Sequence, residues 1–169
     1  MTKPGVEEGR EGRVRATLAP GGFRTRMDVA GHGILADEPA SAGGEGAGPS
    51  PYDLLAAGLA ACTAMTLRLY MERKGWAFDE IDVEVRHEKI HARDCADCET
   101  KTGRVDRFLR RLCVTGPLDA EQRARLVDIA AKCPVHRTLT AEIRVETELV
   151  AVGDEAPGQG VSPSSPPRG

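Results

Sequence analysis

The sequence has few aromatic residues, no long uninterrupted apolar run and no cluster of basic residues. Phe, Tyr and Trp make up only 4% of the 169 residues, so aliphatic side chains and alanine must fill the core. No run approaches the roughly 20 apolar residues of a membrane span, and we expect no membrane partner. The formal net charge is only −3, and no basic stripe carries interleaved aromatics, which argues against a nucleic-acid partner.

The N-terminal residues, MTKPGVEEGREG, also lack the apolar segment of a secretory signal. We therefore expect a cytoplasmic protein. The chain contains five cysteines, and in a reducing compartment these favour redox or metal chemistry over a structural disulfide framework.

Composition predicts one folded domain between two flexible ends. Residues 1–11 are a disordered lead-in, residues 12–150 form the domain, and residues 151–169 are a Pro/Gly/Ser tail that cannot build a core. Within the domain, the pattern predicts a three-stranded meander, a long helix, two strands, a second helix and a last strand. This order indicates an antiparallel α+β fold.

The later elements have local signals of their own. Asp119 and Gln122 form a capping-box pattern that opens the second helix. Residues 139–149 then alternate between apolar and charged side chains, which is typical of a half-buried antiparallel strand.

The long helix is the best specified element. Ser50 can cap it, Pro51 suits the first helical position, Asp53 stands where a capping box needs an acceptor, and Gly75 ends it. Residues 54–66 are apolar or small on every side, so we expect this part to be buried in a core or between subunits.

Cys62 lies in the middle of that helix and is the first candidate site residue. Side chains on a helix lean toward its N-terminus, so the thiol overlies the turn that contains Gly58. The glycine indicates either a close backbone contact or open space in front of the sulfur. A small buried cysteine that packs on a glycine is the plainer interpretation.

Cys133 is the second candidate. It directly precedes Pro134, so it can cap a short helix whose free N–H groups would lower the thiol pKa. His136 adds a proton acceptor or a positive neighbour. Simple packing at the end of the second helix is the alternative.

Cys95 and Cys98 form a CxxC within HARDCADCE. Two thiolates with His87 and His91 could complete a tetrahedral zinc site. A redox dithiol and an exposed acidic loop are the other interpretations, and the acidic neighbours would slow thiolate chemistry. The remaining cysteine, Cys113, lies between apolar strand residues and is expected in the core.

Three segments together resemble the OsmC/Ohr family of thiol-dependent hydroperoxide reductases, and in particular its OsmC-like branch with an acidic CxxC loop. They are GPSPYDLLAAGLAACTAMTLRLYMERKGW, HEKIHARDCADCETKTGRVDR and CPVHRTL. The resemblance covers about residues 12–150 and implies an intertwined α+β homodimer with its active sites at the subunit interface.

The resemblance also implies roles for the two thiols. Cys62 would attack an organic, alkyl or lipid-like hydroperoxide and become a sulfenic acid, and Cys133 would resolve it as a disulfide. An external dithiol would then reduce that disulfide, and no cofactor would be required.

Burial raises a thiol pKa, so Cys62 needs a cation nearby. In the family an arginine of the N-terminal strands, held by a glutamate, has this role. The resemblance therefore points to Arg24 or Arg26, while Tyr52 matches the glutamate position and Asp53 beside it is the possible substitute. Two other functions stay open: a binding module for an apolar ligand or a metal, and a thiol–disulfide exchanger that uses the CxxC.

Overall fold

The computed structural model describes residues 12–95 and 98–151. The predictions for residues 1–11 and for the tail after residue 151 lie outside this range. Within it, the antiparallel α+β fold is confirmed. Besides two single-turn 3-10 helices, the elements are, in order, strands β1 (Val14–Leu18), β2 (Thr25–Val29) and β3 (His32–Ala36), helix α1 (Pro51–Lys74), strands β4 (Glu80–His91) and β5 (Arg104–Thr115), and helices α2 (Ala120–Ala130) and α3 (Pro134–Leu139).

Strands β1, β2 and β3 form the predicted antiparallel meander. The turn between β2 and β3 has positive φ at both Ala30 (52°) and Gly31 (89°), which suits the right-handed twist of the two strands. Several large apolar side chains of the meander are exposed, including Val14 (60%) and Leu18 (55%). The described chain therefore leaves much of this sheet uncovered.

The loop between β3 and α1 is held in place by hydrogen bonds to one side chain. The Asp37 carboxylate is only 2% exposed, and it accepts the backbone N–H groups of Glu38, Glu45 and Ala47 at 2.9, 3.1 and 3.0 Å. Gly48 passes so close to the Leu35 carbonyl that a Cβ would collide with it. One buried carboxylate thus organises the approach to α1.

We expect the Asp37→Asn variant to be less stable than the wild type at neutral pH, with the difference vanishing in acid. The Asp37 pKa is lowered below its ordinary 3.8, and the hydrogen bond from the N–H of Ala47 is the largest cause. Burial raises the pKa, but the N–H groups of Glu45 and Glu38 and the charge of Arg24 lower it further. A lowered folded-state pKa stabilises the protein above pH 3.8, and this contribution is lost as the pH falls through the folded-state value. Melting temperatures of both proteins between pH 7 and 2.5 test this, and a constant difference would contradict it.

Helix α1 begins and ends as predicted. Ser50 and Asp53 form both bonds of the capping box, and Gly75 closes the helix with φ 67°. In the described chain one stripe of α1 faces the core. The buried residues of α1 recur every three or four positions and are Ala56, Leu59, Thr63, Leu67 and Met71.

The opposite face of α1 is bare in the described chain. Leu55, Met65 and Leu69 are 47%, 64% and 61% exposed. By length and composition alone α1 could cross a membrane, because its most apolar 18-residue window has a mean hydropathy of 1.5. From the sequence, no segment was expected to approach the length of an apolar membrane span. Core helices have the same composition, and the buried stripe of α1 packs against β4, α2 and α3.

The core lies where α1 and α2 meet the β4–β5 hairpin. Its buried members are Leu67, Met71, Val114, Leu118, Leu126, Ile129 and Ala130. The capping box of α2 is confirmed, since Asp119 and Gln122 exchange both bonds. The prediction for Cys113 is wrong: it is exposed, because it pairs with Asp82 and points away from the side on which Val114 is buried.

The predicted last strand is absent from the described chain. Residues 141–150 form no helix or strand and are exposed throughout, and Val145 and Leu149 are 82% and 99% exposed. The alternating pattern is present, but a strand also needs a neighbouring edge for its backbone hydrogen bonds. No described strand pairs with this segment.

Candidate active site

Cys133 and Cys62 lie side by side. Cys133 caps α3 as predicted, and its fully buried sulfur accepts the backbone N–H of His136 at 3.3 Å. The hydroxyl of Thr63, on the buried stripe of α1, lies 3.6 Å from the same sulfur. The side chain of Cys62 interacts with it as well. Helix α1 and the α2–α3 junction therefore bring two distant thiols together.

Cys62 is half-buried rather than sealed in the core. It lies between the buried stripe and the bare face of α1. A Cβ on Gly58, one turn earlier, would meet nothing within 4 Å, so of the two explanations for this glycine the structure favours open space. In the described chain Cys62 is thus partly exposed, one turn from the open space at Gly58.

Arg110 brings a positive charge to this site, and it was not predicted from the sequence. Its Nη1 donates to the Thr63 hydroxyl at 3.0 Å and to the Ala130 carbonyl at 2.9 Å. The alternation of side chains along β5 could have revealed it. Arg110 lies an even number of residues from half-buried Phe108 and buried Val114, so all three are on the same face of the strand. An arginine at an inward position of a strand needs partners, because its buried donors must be satisfied.

The charge of Arg110 affects both titratable groups beside it. Burial is the largest single influence on Cys133 and raises its pKa, but the N–H of His136, the side chains of Thr63 and Cys62, and the charge of Arg110 together bring the pKa below its ordinary value. Burial, and then Arg110, lower the pKa of His136. His136 is therefore neutral at pH 7, and Arg110 supplies the positive charge.

A cavity of about 240 Å³ opens beside this group. Apolar side chains of α1, β5 and α3 form much of its wall, and Arg110 and His136 belong to its lining. The lining residues are Leu59, Asp106, Phe108, Arg110, His136, Leu139 and Thr140. The space suits a small, largely apolar molecule with a polar group near Arg110 and His136.

Arg24 and Arg26 are not part of this group in the described chain. Arg26 is in β2, Arg24 forms an ion pair with Glu45, and both line a separate hollow of the meander. The Asp53 carboxylate accepts the N–H and hydroxyl of Ser50 at 2.9 and 2.7 Å. Within one chain its observed role is that of a helix cap.

The CxxC and the two histidines occupy different places. Cys95 and Cys98 form a disulfide near the tip of the β4–β5 hairpin. His87 stacks on Tyr52 with ring centroids 4.0 Å apart and bonds to Asp106 at 2.8 Å. His91 is exposed. The described residues contain no group of three or more potential metal-ligating side chains.

This fold and site define an α+β protein with one thiol on a long helix and a second thiol that caps a short helix packed against it. The chain matches the model of the OsmC-like protein family over residues 43–148, and it belongs to this family. No curated protein sequence matches it significantly.

Solved structures with the same fold share little sequence with the chain. Organic hydroperoxide resistance protein OsmC from Legionella pneumophila is 22% identical with a TM-score of 0.59, and 76% of this chain and 88% of that one are covered. OhrB, the organic hydroperoxide resistance protein of Bacillus subtilis, is 25% identical with a TM-score of 0.52 and coverages of 76% and 89%. An OsmC-like protein from Mycoplasma pneumoniae is 21% identical with a TM-score of 0.55 and coverages of 75% and 85%.

Proposed function

We propose that the protein reduces organic hydroperoxides with Cys62 and Cys133. The Cys62 thiolate attacks the terminal peroxide oxygen, the O–O bond breaks, and the products are a sulfenic acid and an alcohol. The Cys133 sulfur then displaces hydroxide from the Cys62 sulfur to form a disulfide, and an external dithiol reduces it. The observation that carries this proposal is the position of Thr63, the neighbour of Cys62 on α1. Its hydroxyl lies 3.6 Å from the Cys133 sulfur and 3.0 Å from the Arg110 guanidinium.

The substrate class follows from the cavity and the family. Apolar walls from Leu59, Phe108 and Leu139 favour an alkyl or aryl hydroperoxide over hydrogen peroxide, because the organic part gains from leaving water. Membership of the OsmC-like family and the structural likeness to organic hydroperoxide resistance proteins support the same class.

Disulfide mapping tests this proposal. Fully reduced protein is treated with one equivalent of cumene hydroperoxide, quenched with an alkylating agent and digested for mass spectrometry. We expect a Cys62–Cys133 link and one equivalent of alcohol. The Cys113→Ser variant is the matched control, because its thiol is exposed away from the site, and it should react like the wild type. Unchanged peroxide with no such link would falsify the proposal.

We further propose that the working protein is a homodimer. The bare apolar face of α1 and the unpaired segment 141–150 are surfaces that a second copy can cover. Exposed apolar area of this kind marks interaction surfaces, and the alternating segment can complete a sheet edge. A dimer would also allow the meander of one subunit, with Arg24 and Arg26, to approach the site of the other.

We expect the Met65→Lys variant to dissociate. Met65 is 64% exposed on the bare face of α1, and a lysine charge buried there between subunits would lack a partner. Light scattering coupled to size exclusion should give a dimer mass for the wild type and a monomer mass for the variant. The control is Arg73→Ala, at an exposed position in the last turn of α1, which should elute as the wild type does. A monomeric wild type would contradict the dimer.

The Cys95–Cys98 disulfide favours a second candidate function, thiol–disulfide exchange at the hairpin. Two cysteines that bond when oxidised can release two thiolates when reduced, for exchange or for zinc. If the hairpin cysteines exchange disulfides, the protein should turn over a model disulfide. The Cys62→Ser variant should keep this activity, and the Cys95→Ser variant should lose it. Elemental analysis of the reduced, untagged protein tests zinc: stoichiometric metal that disappears in Cys95→Ser supports it, and metal-free protein removes it.

A further inference from the structure

We propose that Cys133 is also the base that ionises Cys62, and that Arg110 is the positioning residue that holds Cys133 for this task. This inference rests on the peroxidase function proposed above. It gives Cys133 two roles in one cycle, first in proton transfer and then in disulfide formation.

The first support is the set of donors around one sulfur. In the part of the chain that the structure describes, Cys133 is the free cysteine whose sulfur accepts hydrogen bonds. The donors are the backbone N–H of His136 at 3.3 Å and the hydroxyl of Thr63 at 3.6 Å. The sulfur is fully buried, where an ion without donors is costly. A buried sulfur that faces donors is suited to carry negative charge.

The second support is the position of Arg110. Its Nη1 joins β5 to Thr63 on α1 and to the Ala130 carbonyl, three residues before Cys133. The charge of Arg110 acts on the Cys133 sulfur and favours its ionised form. The Thr63 hydroxyl has one proton and two possible acceptors, the Leu59 carbonyl at 2.7 Å and the Cys133 sulfur. Once Cys133 is ionised, this proton can turn toward the sulfur.

The third support is the placement of Cys62 on α1 next to Thr63, whose hydroxyl lies 3.6 Å from the Cys133 sulfur. Cys62 is half-buried and faces the open space over Gly58, so a peroxide can reach it. An anionic Cys133 near the Cys62 thiol can take its proton at the moment of attack, in the manner of a general base.

The steps balance with no further reactant. The Cys62 proton moves to the Cys133 sulfur, and the Cys62 thiolate attacks the terminal oxygen as the O–O bond breaks. The departing alkoxide takes the proton back from Cys133, which gives the alcohol and leaves the Cys62 sulfenic acid beside a Cys133 thiolate. Two electrons pass from Cys62 sulfur to the peroxide. The Cys133 thiolate then attacks the Cys62 sulfur, and hydroxide leaves.

Single-turnover alcohol formation separates the two roles of Cys133. A cysteine that only resolves acts after the alcohol has left, so Cys133→Ser and Cys133→Ala would form one equivalent of alcohol at the wild-type rate. A base is needed before that point. We expect both variants to release alcohol more slowly by a factor on the order of 10², with the sulfenic acid trapped at Cys62. Two variants and circular dichroism spectra guard against a folding defect.

The pH profile of the same reaction tests Arg110. We expect the wild-type rate to rise as Cys133 ionises and then to level off. In Arg110→Met the rise should move to higher pH, and Arg110→Lys, which keeps the charge, should restore part of the shift. Arg111→Met is the matched control, since Arg111 is the next residue of β5 and is exposed, and its profile should equal the wild type's.

Each remaining outcome overturns a distinct claim. If the wild type forms alcohol and the Cys62–Cys133 link but the Cys133 variants release alcohol as fast, the base role is wrong and the peroxidase function stands. The base role is also overturned by an early sulfenic acid on Cys133 of the wild type, or by a pH profile that is unchanged in Arg110→Met. If the wild type forms no alcohol at all, the proposed function itself fails.

Discussion

The Cys62→Ser variant should reduce hydroperoxides more slowly than the wild type by on the order of 10³-fold or more, because a serine hydroxyl is hardly ionised at neutral pH and forms no counterpart of the sulfenic acid. The substitution is nearly isosteric and Cys62 is only half-buried, so the fold should survive. Initial rates with cumene hydroperoxide and a dithiol reductant measure the loss.

The comparison with Cys113→Ser makes this result specific. Both variants lose one thiol, but Cys113 lies on the outer face of the β4–β5 hairpin, paired with Asp82. Its rate should stay within a factor of about 2, as expected for an exposed position away from the site. Equal rates for Cys62→Ser and the wild type would show that another thiol reacts with the peroxide, and the Cys95–Cys98 pair would be examined next.

The Leu126→Ala variant should lose about 2–5 kcal/mol of unfolding free energy. Leu126 is 3% exposed on α2 and packs in the same cluster as Leu67 and Met71 of α1. Truncation leaves a cavity between the two helices that position the thiols. At about 2–4 °C per kcal/mol for a chain of this size, the melting temperature should fall by several degrees.

Val127→Ala is the control for this substitution. Val127 is the next residue of α2 and is 62% exposed, so its removal leaves no cavity, and alanine is the better helix former. Its unfolding free energy should stay within about 0.5 kcal/mol of the wild-type value. Similar losses in both variants, measured by urea denaturation at one protein concentration, would contradict the described core.

The helix ends were predictable because their signals are local. Ser50 and Asp53, like Asp119 and Gln122, each satisfy free N–H groups within one turn, so no distant residue has to be known. The same holds for Cys133, whose capping position follows from Pro134 and is observed in α3.

Burial was less predictable, because it depends on which face meets a neighbour. Cys113 lies between apolar residues and yet is exposed, since alternation along β5 turns it outward. The apolar helix α1 buries one stripe and leaves Met65 and Leu69 bare. Residues 141–150 keep a strand pattern without a strand, because pairing requires an edge that the described chain does not place beside them.

The sequence by itself determined the order of the elements from β1 to α3 and the caps of α1 and α2, and it singled out Cys62 and Cys133, because each of these depends on neighbours within a few residues or on a motif. Only the tertiary structure decided which groups surround those thiols. Arg110 comes from a strand far from both cysteines and reaches Cys133 through Thr63, whereas Arg24 and Arg26 lie on the meander. Contacts between residues distant in the chain arise from the packing of whole elements, and no local pattern encodes which arginine that packing brings to the sulfur.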